Sequence, residues 1–291
     1  MPARILDGAA IARHVYASLA PRIAALTQRG VQPGLAALLI GENAASHTYV
    51  RNKVRACTDI GIYSEVHELG ADCTEAAALK MLEQLNHNSR LHGVIVQLPL
   101  PPGISAQRLL QSVAVEKDVD GFNWSNLGAL VDARTALTPC TPLGVMVMLE
   151  HAGIAVEGRH AVVIGRSTGV GKPMALQLVN RGATVTVCHS KTPDLAAHAA
   201  RADILIAAVG RAGLVTANMV KSGAVVIDVG INRLPDGKLT GDVAFAAVSE
   251  RASWITPVPG GVGPMTVAML IANTVTTAER TAGAQTLSAA V

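Results

Sequence analysis

The run Val162-Val163-Ile164-Gly165-Arg166-Ser167-Thr168-Gly169-Val170-Gly171-Lys172-Pro173 constrains this chain more than any other stretch. Three β-branched residues run into a glycine, a short polar turn follows, and Met174, Ala175 and Leu178 then repeat at helical spacing until Gly182. Strand, tight turn and helix in that order bring backbone N–H groups and the positive end of a helix dipole to one spot, which suits an anion such as a dinucleotide pyrophosphate. The spacing departs from G-x-G-x-x-G, because Ser167 stands at the second glycine position and Val170-Gly171 replaces the end of the motif. Taken alone, such a turn occurs in many α/β proteins. The next strand, residues 184–188, favours a nucleotide: it ends in His189-Ser190-Lys191, where an NAD-binding protein would carry an acid for the ribose hydroxyls. Arg166, Ser190 and Lys191 suit a 2′-phosphate instead, so the expected cofactor is NADP.

Strands and helices alternate along the rest of the chain. Asp7 reads as a helix N-cap, and Ile11, Val15, Leu19, Ile23 and Leu26 recur three or four apart until Gly30. Residues 35–40 read as a buried strand, 43–60 as a helix and 62–69 as the next strand, and Thr74 caps a helix through Leu79, Leu82 and Leu85. A short strand at 93–97 stops at Leu98-Pro99-Leu100-Pro101-Pro102, which cannot continue a ladder, and a short helix follows near 104–113. Residues 138–142 read as a linker and 143–151 as the helix that leads into the nucleotide unit. Further strands are expected at 204–209, 225–229 and 254–256, then a helix from Met265 to about Glu279 that packs back on the first domain, and a small, polar tail from Thr281 that frays. One of the prolines near Leu98 or Val258 is a candidate for a cis bond, with no choice between them. The pattern predicts an α/β protein with parallel sheets, whose ligands sit beyond the carboxyl ends of the strands.

Length and composition agree with two such domains. The chain has 291 residues, half of them hydrophobic and only 15% charged. Two Trp, three Tyr and two Phe supply no stacking platform for single-stranded nucleic acid, and a net charge of +3 implies no polyanionic partner. Cys57, Cys73, Cys140 and Cys188 form no Cys-x-x-Cys pair, and the nine histidines do not cluster, so neither a metal site nor a disulfide framework is expected. No stretch resembles a signal peptide or membrane span, which points to a cytoplasmic protein with a small-molecule ligand.

Several polar residues fall where a parallel sheet would put a site. Tyr49 and Lys53 lie four apart on a predicted helix and share a face, with Arg51 and Arg55 adding positive potential that eases loss of a proton from a partly buried lysine. Gln97 ends an apolar strand, either as a polar residue at the sheet rim or as an amide that orients the Lys53 ammonium or a substrate carbonyl. Asp118 and Asp120 are turn formers, or carboxylates able to accept paired N–H bonds from an amino-heterocycle. Pro259-Gly260-Gly261-Val262-Gly263-Pro264 offers bare backbone in a stiff frame, suited to a flat ligand. There is no Gly-x-Ser-x-Gly elbow and no Walker lysine motif.

With these residues in view, the chain resembles the bifunctional methylenetetrahydrofolate dehydrogenase/cyclohydrolase family. The resemblance is carried by Ser46-x-x-Tyr49-Val50-x-x-Lys53, Val96-Gln97-Leu98-Pro99-Leu100-Pro101, Lys117-Asp118-Val119-Asp120-Gly121-Phe122, Thr138-Pro139-Cys140-Thr141-Pro142, Val163-Ile164-Gly165-Arg166-Ser167, Cys188-His189-Ser190 and the run from Ile255 to Thr266, all in family order. Gly103 and Val115 depart from the pattern, where His and Pro are usual.

The resemblance implies a folate-binding catalytic domain at residues 1–138, completed by a C-terminal helix at 265–291, facing across a cleft a Rossmann-like NADP-binding domain at 139–264. It also implies a homodimer through the nucleotide domain. In catalysis it makes Lys53 the acid/base of the cyclohydrolase step, with Tyr49 and Gln97 beside it and Asp120 holding the pterin. Gly165, Arg166, Ser167, Ser190 and Ile231 would contact NADP, while Val96, Leu98, Pro259, Gly260, Gly261, Val262 and Gly263 would line the folate site. The expected activity is NADP-dependent oxidation of 5,10-methylenetetrahydrofolate to the methenyl form and its hydrolysis to 10-formyltetrahydrofolate, the alternative being a dehydrogenase alone.

Overall fold

The computed structural model describes residues 2–134 and 137–289. In chain order the elements are β1 (Arg4–Ile5), α1 (Gly8–Gln28), β2 (Gly34–Ile40), α2 (Ala44–Asp59), β3 (Tyr63–Leu69), α3 (Glu75–His87), β4 (Gly93–Val96), α4 (Ala106–Ser112) and α5 (Trp124–Val131). They continue with α6 (Cys140–His151), β5 (His160–Ile164), α7 (Gly171–Asn180), β6 (Thr184–Cys188), α8 (Leu195–Ala199), β7 (Ile204–Ala207), β8 (Val225–Asp228), β9 (Asn232–Arg233), β10 (Leu239–Thr240), α9 (Phe245–Ser249), β11 (Trp254–Ile255) and α10 (Val262–Ala289). They form two compact α/β units, one of Met1–His14 with Pro139–Met269, the other of Val15–Thr138 with Leu270–Val291. Helices α1 and α10 each start in the first of these and end in the second.

In the second unit three parallel strands stand in the order β3-β2-β4. All seven residues of β2 are buried, as a central parallel strand covered on both faces requires, hence its unbroken apolar run. Edge strand β3, Tyr-Ser-Glu-Val-His-Glu-Leu, carries polar residues that half-exposure tolerates. Ala36, Leu38 and Ile40 pack with Leu82, Leu85, Leu91, Val94 and Leu109 into the core. Asp7 and Thr74 cap their helices as the sequence predicts, accepting from the N–H groups of Ala10 and Ala77, and Asn43, expected inside α2, is its cap and accepts from Ser46. Within this unit α10 is tied down by Asn273, which donates to the carbonyls of Val119 at 2.8 Å and Thr138 at 3.1 Å. Arg22 on α1 grips both oxygens of Glu279, at 2.9 and 2.6 Å.

The first unit holds a six-stranded sheet ordered β1-β11-β8-β7-β5-β6, parallel throughout. The chain runs from β5 to β6 on one side, then crosses back to β7 on the other. That reversal makes a crevice beyond the carboxyl ends of β5 and β7, where ligands of such sheets bind.

Four expectations need amendment. Helix α6 begins at Cys140, inside the expected linker, because Pro142 falls in the first turn, where a backbone N–H has no helical acceptor to meet. Helix α10 starts at Val262 and continues ten residues past Glu279 to Ala289, through the tail expected to fray; Ala290 and Val291 lie outside the described residues. Helix α5 and the β9/β10 hairpin were not foreseen. Both Leu98-Pro99 and Val258-Pro259 are cis.

Candidate active site

In the second unit, the carboxyl ends of β2 and β4 gather the polar residues that the sequence singles out. Tyr49 and Lys53 stand one turn apart on α2, Tyr49 exposed and Lys53 half-buried. Gln97 directly follows β4 and is buried. Its amide is engaged at both ends: Oε1 accepts from the Lys53 Nζ at 3.2 Å, and Nε2 donates to the Leu98 carbonyl at 2.7 Å. The Ser46 hydroxyl donates to the same carbonyl at 3.3 Å. Helix α2 and the Leu98-Pro99 turn are thereby stitched together, and the Lys53 ammonium is aimed by a neutral acceptor instead of being neutralised by a carboxylate.

The two aspartates of the Lys-Asp-Val-Asp-Gly turn have separate roles. Asp118 is buried, and its Oδ2 accepts from the Asn123 N–H at 2.7 Å and the Asn126 amide at 2.8 Å. Burial raises its pKa above the ordinary value, and those hydrogen bonds pull the other way. Asp118 is thus the turn former. Lys117 fixes the same turn by donating to the carbonyls of Asn86 at 2.6 Å and Asn88 at 2.8 Å at the C-terminal end of α3. That leaves the half-buried Asp120 as the carboxylate on offer to a ligand. Burial raises its pKa, and the nearby Lys53 ammonium opposes the rise. Lys53, Gln97 and Asp120 therefore make a basic–amide–acidic set on one edge, with Tyr49 exposed beside it.

In the first unit the turn after β5 closes as its glycines require. Gly165 has φ of +128°, and a Cβ there would lie 2.2 Å from the Ala208 carbonyl oxygen. A Cβ on Gly171 would lie 2.2 Å from the Gly165 oxygen, so β5 and α7 meet only through bare backbone. The Ser167 hydroxyl accepts from the N–H groups of Val170 and Gly171, at 3.2 and 3.3 Å. Its oxygen organises the start of α7, and its hydrogen remains to donate outward.

Beyond this turn lies a cleft of about 460 Å³, within the range of small-ligand pockets. Gly165, Arg166, Ser167 and Ser190 line it together with His189, Val209 and Arg211, and no carboxylate does. Sequence reasoning missed Arg211; its signal was its place just after a buried strand, with Gly210 before it. Ile231 does not line this cleft. It sits instead against the other glycine-rich loop, its Cδ1 at 3.9 Å from where a Gly263 Cβ would be. That loop is pinned to the start of α1: the Ala9 N–H donates to the Gly260 carbonyl at 3.1 Å, and a Cβ on Gly8 would lie 1.7 Å from the Gly261 oxygen. Pro259, Gly260, Gly261, Val262 and Gly263 therefore belong with Ile231, in the unit that does not carry Lys53.

Comparison with known proteins matches both units. Residues 6–120 fit the family model described as the tetrahydrofolate dehydrogenase/cyclohydrolase catalytic domain, and residues 139–282 the model of its NAD(P)-binding domain. The "Bifunctional protein FolD" of Nitrosospira multiformis is 56% identical over 280 residues, 96% of this chain and 97% of that one. Among solved structures, the bifunctional FolD methylenetetrahydrofolate dehydrogenase/cyclohydrolase of Campylobacter jejuni superposes with a TM-score of 0.94 at 47% identity, covering 95% of this chain and 98% of its own. The Trypanosoma brucei dehydrogenase-cyclohydrolase, solved with NADP cofactor and inhibitor, gives 0.93 at 40% identity, with 97% and 99% covered.

Proposed function

The chain belongs to the tetrahydrofolate dehydrogenase/cyclohydrolase family, and from that premise we propose which of its residues carry the two reactions. The enzyme oxidises 5,10-methylenetetrahydrofolate with NADP to the 5,10-methenyl form and hydrolyses that to 10-formyltetrahydrofolate.

The cleft in the first unit fits the cofactor by its chemistry. Two guanidiniums, three hydroxyls, a helix N-terminus and bare glycine backbone meet there without a carboxylate, a donor set for phosphates. Gly165 and Ser167 would take the pyrophosphate, Arg166 and Ser190 the 2′-phosphate, and Ile231 would contact the cofactor beside Gly263. NADP supplies the hydride acceptor. Loss of hydride from the methylene carbon leaves a cation stabilised by N5 and N10, so alignment matters more than a protein acid in that step.

Hydrolysis of the cation does require proton movement, and the Lys53–Gln97 hydrogen bond carries its assignment. Water attacks the methenyl carbon while Lys53, reacting as the neutral amine, takes a proton from it and becomes the ammonium. The carbinol then collapses to the formyl group: its O–H proton leaves to solvent, the bond to N5 breaks, and N5 gains the proton held by Lys53, so that overall one proton is released. Gln97 holds the Lys53 nitrogen in place, Tyr49 stands beside it, and Asp120 accepts paired N–H bonds from the pterin. Val96 and Leu98 complete the folate contacts of this unit. A dehydrogenase alone would have no use for the Lys53–Gln97 pair.

We further infer a cytoplasmic homodimer joined through the nucleotide unit. No helix among the described residues is long and apolar enough to cross a membrane, and the β9/β10 hairpin exposes Leu234 and Leu239. Sedimentation in solution tests the dimer. The function is tested by initial rates with 5,10-methylenetetrahydrofolate and NADP or NAD, with methenyl formation and decay followed in one cuvette. Reduction of NADP with prompt methenyl loss is the expected result; persistent methenyl would remove the role given to Lys53.

A further inference from the structure

Asp242 is wholly buried in the first unit, and both oxygens of its carboxylate are directed at the loops that follow β7 and β8. Its Oδ2 accepts from the N–H groups of Val209 at 2.7 Å and Gly210 at 3.0 Å. Its Oδ1 accepts from the Arg211 N–H at 2.7 Å and from the Asn232 side-chain amide at 2.9 Å. Three consecutive backbone N–H groups converging on one anion form a nest, here filled by the protein's own carboxylate. Such an arrangement admits little alternative backbone geometry.

The same carboxylate touches the exit of the neighbouring strand. A Cβ on Gly230 would lie 2.2 Å from Asp242 Oδ1, so position 230 is glycine because the carboxylate rests on it. Gly230 and Asn232 bracket Ile231. Asp242 therefore fixes two segments together: residues 209–211 after β7, whose Val209 and Arg211 line the cleft, and residues 230–232 after β8.

Asp242 itself is held from behind. Its backbone N–H donates to Asp228 Oδ1 at 2.9 Å, and Asp228 Oδ2 accepts from Val243 at 2.9 Å. The Asp228 N–H in turn donates to the Thr256 hydroxyl at 2.7 Å.

We propose that Asp242 is a positioning residue for the cofactor: by filling the Val209–Gly210–Arg211 nest and anchoring Asn232, it presents Arg211 to an anionic group of NADP and sets the place of Ile231. The assignment rests on the reading of the cleft as the NADP site. Asp242 touches no substrate, and the chemistry at Lys53 does not depend on it.

The test is a double-mutant cycle on NADP affinity, measured by calorimetric titration of the full-length protein, with methenyl hydrolysis as the control for an intact second unit. Asp242→Asn turns a donor toward at least one pair of N–H groups. It should weaken NADP at least tenfold and raise KM for NADP more than it lowers kcat, with methenyl hydrolysis within twofold of wild type. Arg211→Ala should also weaken NADP, and in the Asp242→Asn background it should cost almost nothing more, because Arg211 is already misplaced. Additive losses, or unchanged NADP affinity in Asp242→Asn, would overturn the proposal. Should Asp242→Asn fail to fold, Asn232→Ala removes one donor and keeps the nest. It should weaken NADP severalfold and shrink the Arg211→Ala loss, and an unchanged affinity there overturns the proposal equally. A wild-type protein that binds no NADP would instead refute the cofactor reading itself.

Discussion

The two units build their sites from different materials. Around Lys53 the functional groups are side chains, an ammonium, an amide and a carboxylate, set on a helix, a strand end and a turn. Around the cleft after β5 they are guanidiniums and hydroxyls on turns shaped by bare glycine backbone, and the carboxylates lie behind, wholly consumed in holding that backbone. Proton transfer requires a particular group at a particular atom. Cofactor binding requires a shaped, unobstructed surface of donors. Similar residues therefore take opposite roles: Asp120 is available to a ligand, whereas Asp228 and Asp242 are spent inside the protein. Burial pushes the Asp228 carboxyl up to about 6 against the pull of its backbone donors, so it is held at an electrostatic cost that its scaffolding role offsets.

The contrast can be broken most forcefully at Lys53. Lys53→Met should lower methenyl hydrolysis by about 100-fold or more, the usual scale of a lost general acid or base, while NADP reduction stays within a few fold. Equal loss of both would merge the two sites into one machine.

On the backbone side, a Cβ at position 241 would lie 1.8 Å from Asp228 Oδ2 in a buried setting. Gly241→Ala should therefore cost roughly 1–3 kcal/mol in urea unfolding, the scale of an overpacked core, and weaken NADP with it. A neutral outcome would mean that the carboxylates move freely and hold nothing.

Arg166→Ala sharpens the comparison further. Losing a charge-assisted hydrogen bond of about 1.5–3 kcal/mol should weaken NADP about ten- to a hundredfold and leave NAD almost unchanged in titrations. Equal losses would count against a 2′-phosphate at Arg166.

The smallest effect concerns the clasp between α1 and α10 in the Lys53 unit. Arg22 holds Glu279 in two hydrogen bonds, but both side chains are more than a third exposed, so solvent screening limits Arg22→Ala to about 0.5–1 kcal/mol. The Glu279 pKa is lowered, first by its hydrogen bond to Arg22. Its stabilisation is therefore present above the ordinary glutamate pKa and lost as pH falls through the lowered folded value. The stability gap between wild type and Arg22→Ala should be full near neutrality and close in acid. A gap that persists at low pH would assign the effect to packing of the arginine stem.

The same contrast governs what could be read from sequence. Alternating apolar runs and capping residues reveal strands and helices because burial and helix-end satisfaction leave residue-type signatures; Gln97 stands out because a polar group at a strand end needs a reason, Lys53 because it shares a helix face with Tyr49, and Asp120 because it doubles the acid of its turn. Helix α5 escaped because it buries only Asn126 and Leu130 and turns Trp124 and Val131 outward, which hides its periodicity. The β9/β10 hairpin escaped because strands of two residues cannot show alternation, although Pro235-Asp236-Gly237 marks its turn. Asp242 and Arg211 escaped for a deeper reason: a carboxylate that accepts backbone N–H groups from a distant loop has no local pattern. Asp118 and Asp120 looked alike in sequence, and only their burial and partners separate them.

The most direct test of the division between the two sites is the ratio of NADP reduction to methenyl hydrolysis, with hydrolysis started from the methenyl substrate, in Lys53→Met and Arg166→Ala side by side. The ratio should rise in Lys53→Met and fall in Arg166→Ala, each by tenfold or more at limiting cofactor. Movement in the same direction, or equal loss of both activities in either variant, would contradict the separation of proton chemistry at Lys53 from cofactor binding in the nucleotide unit.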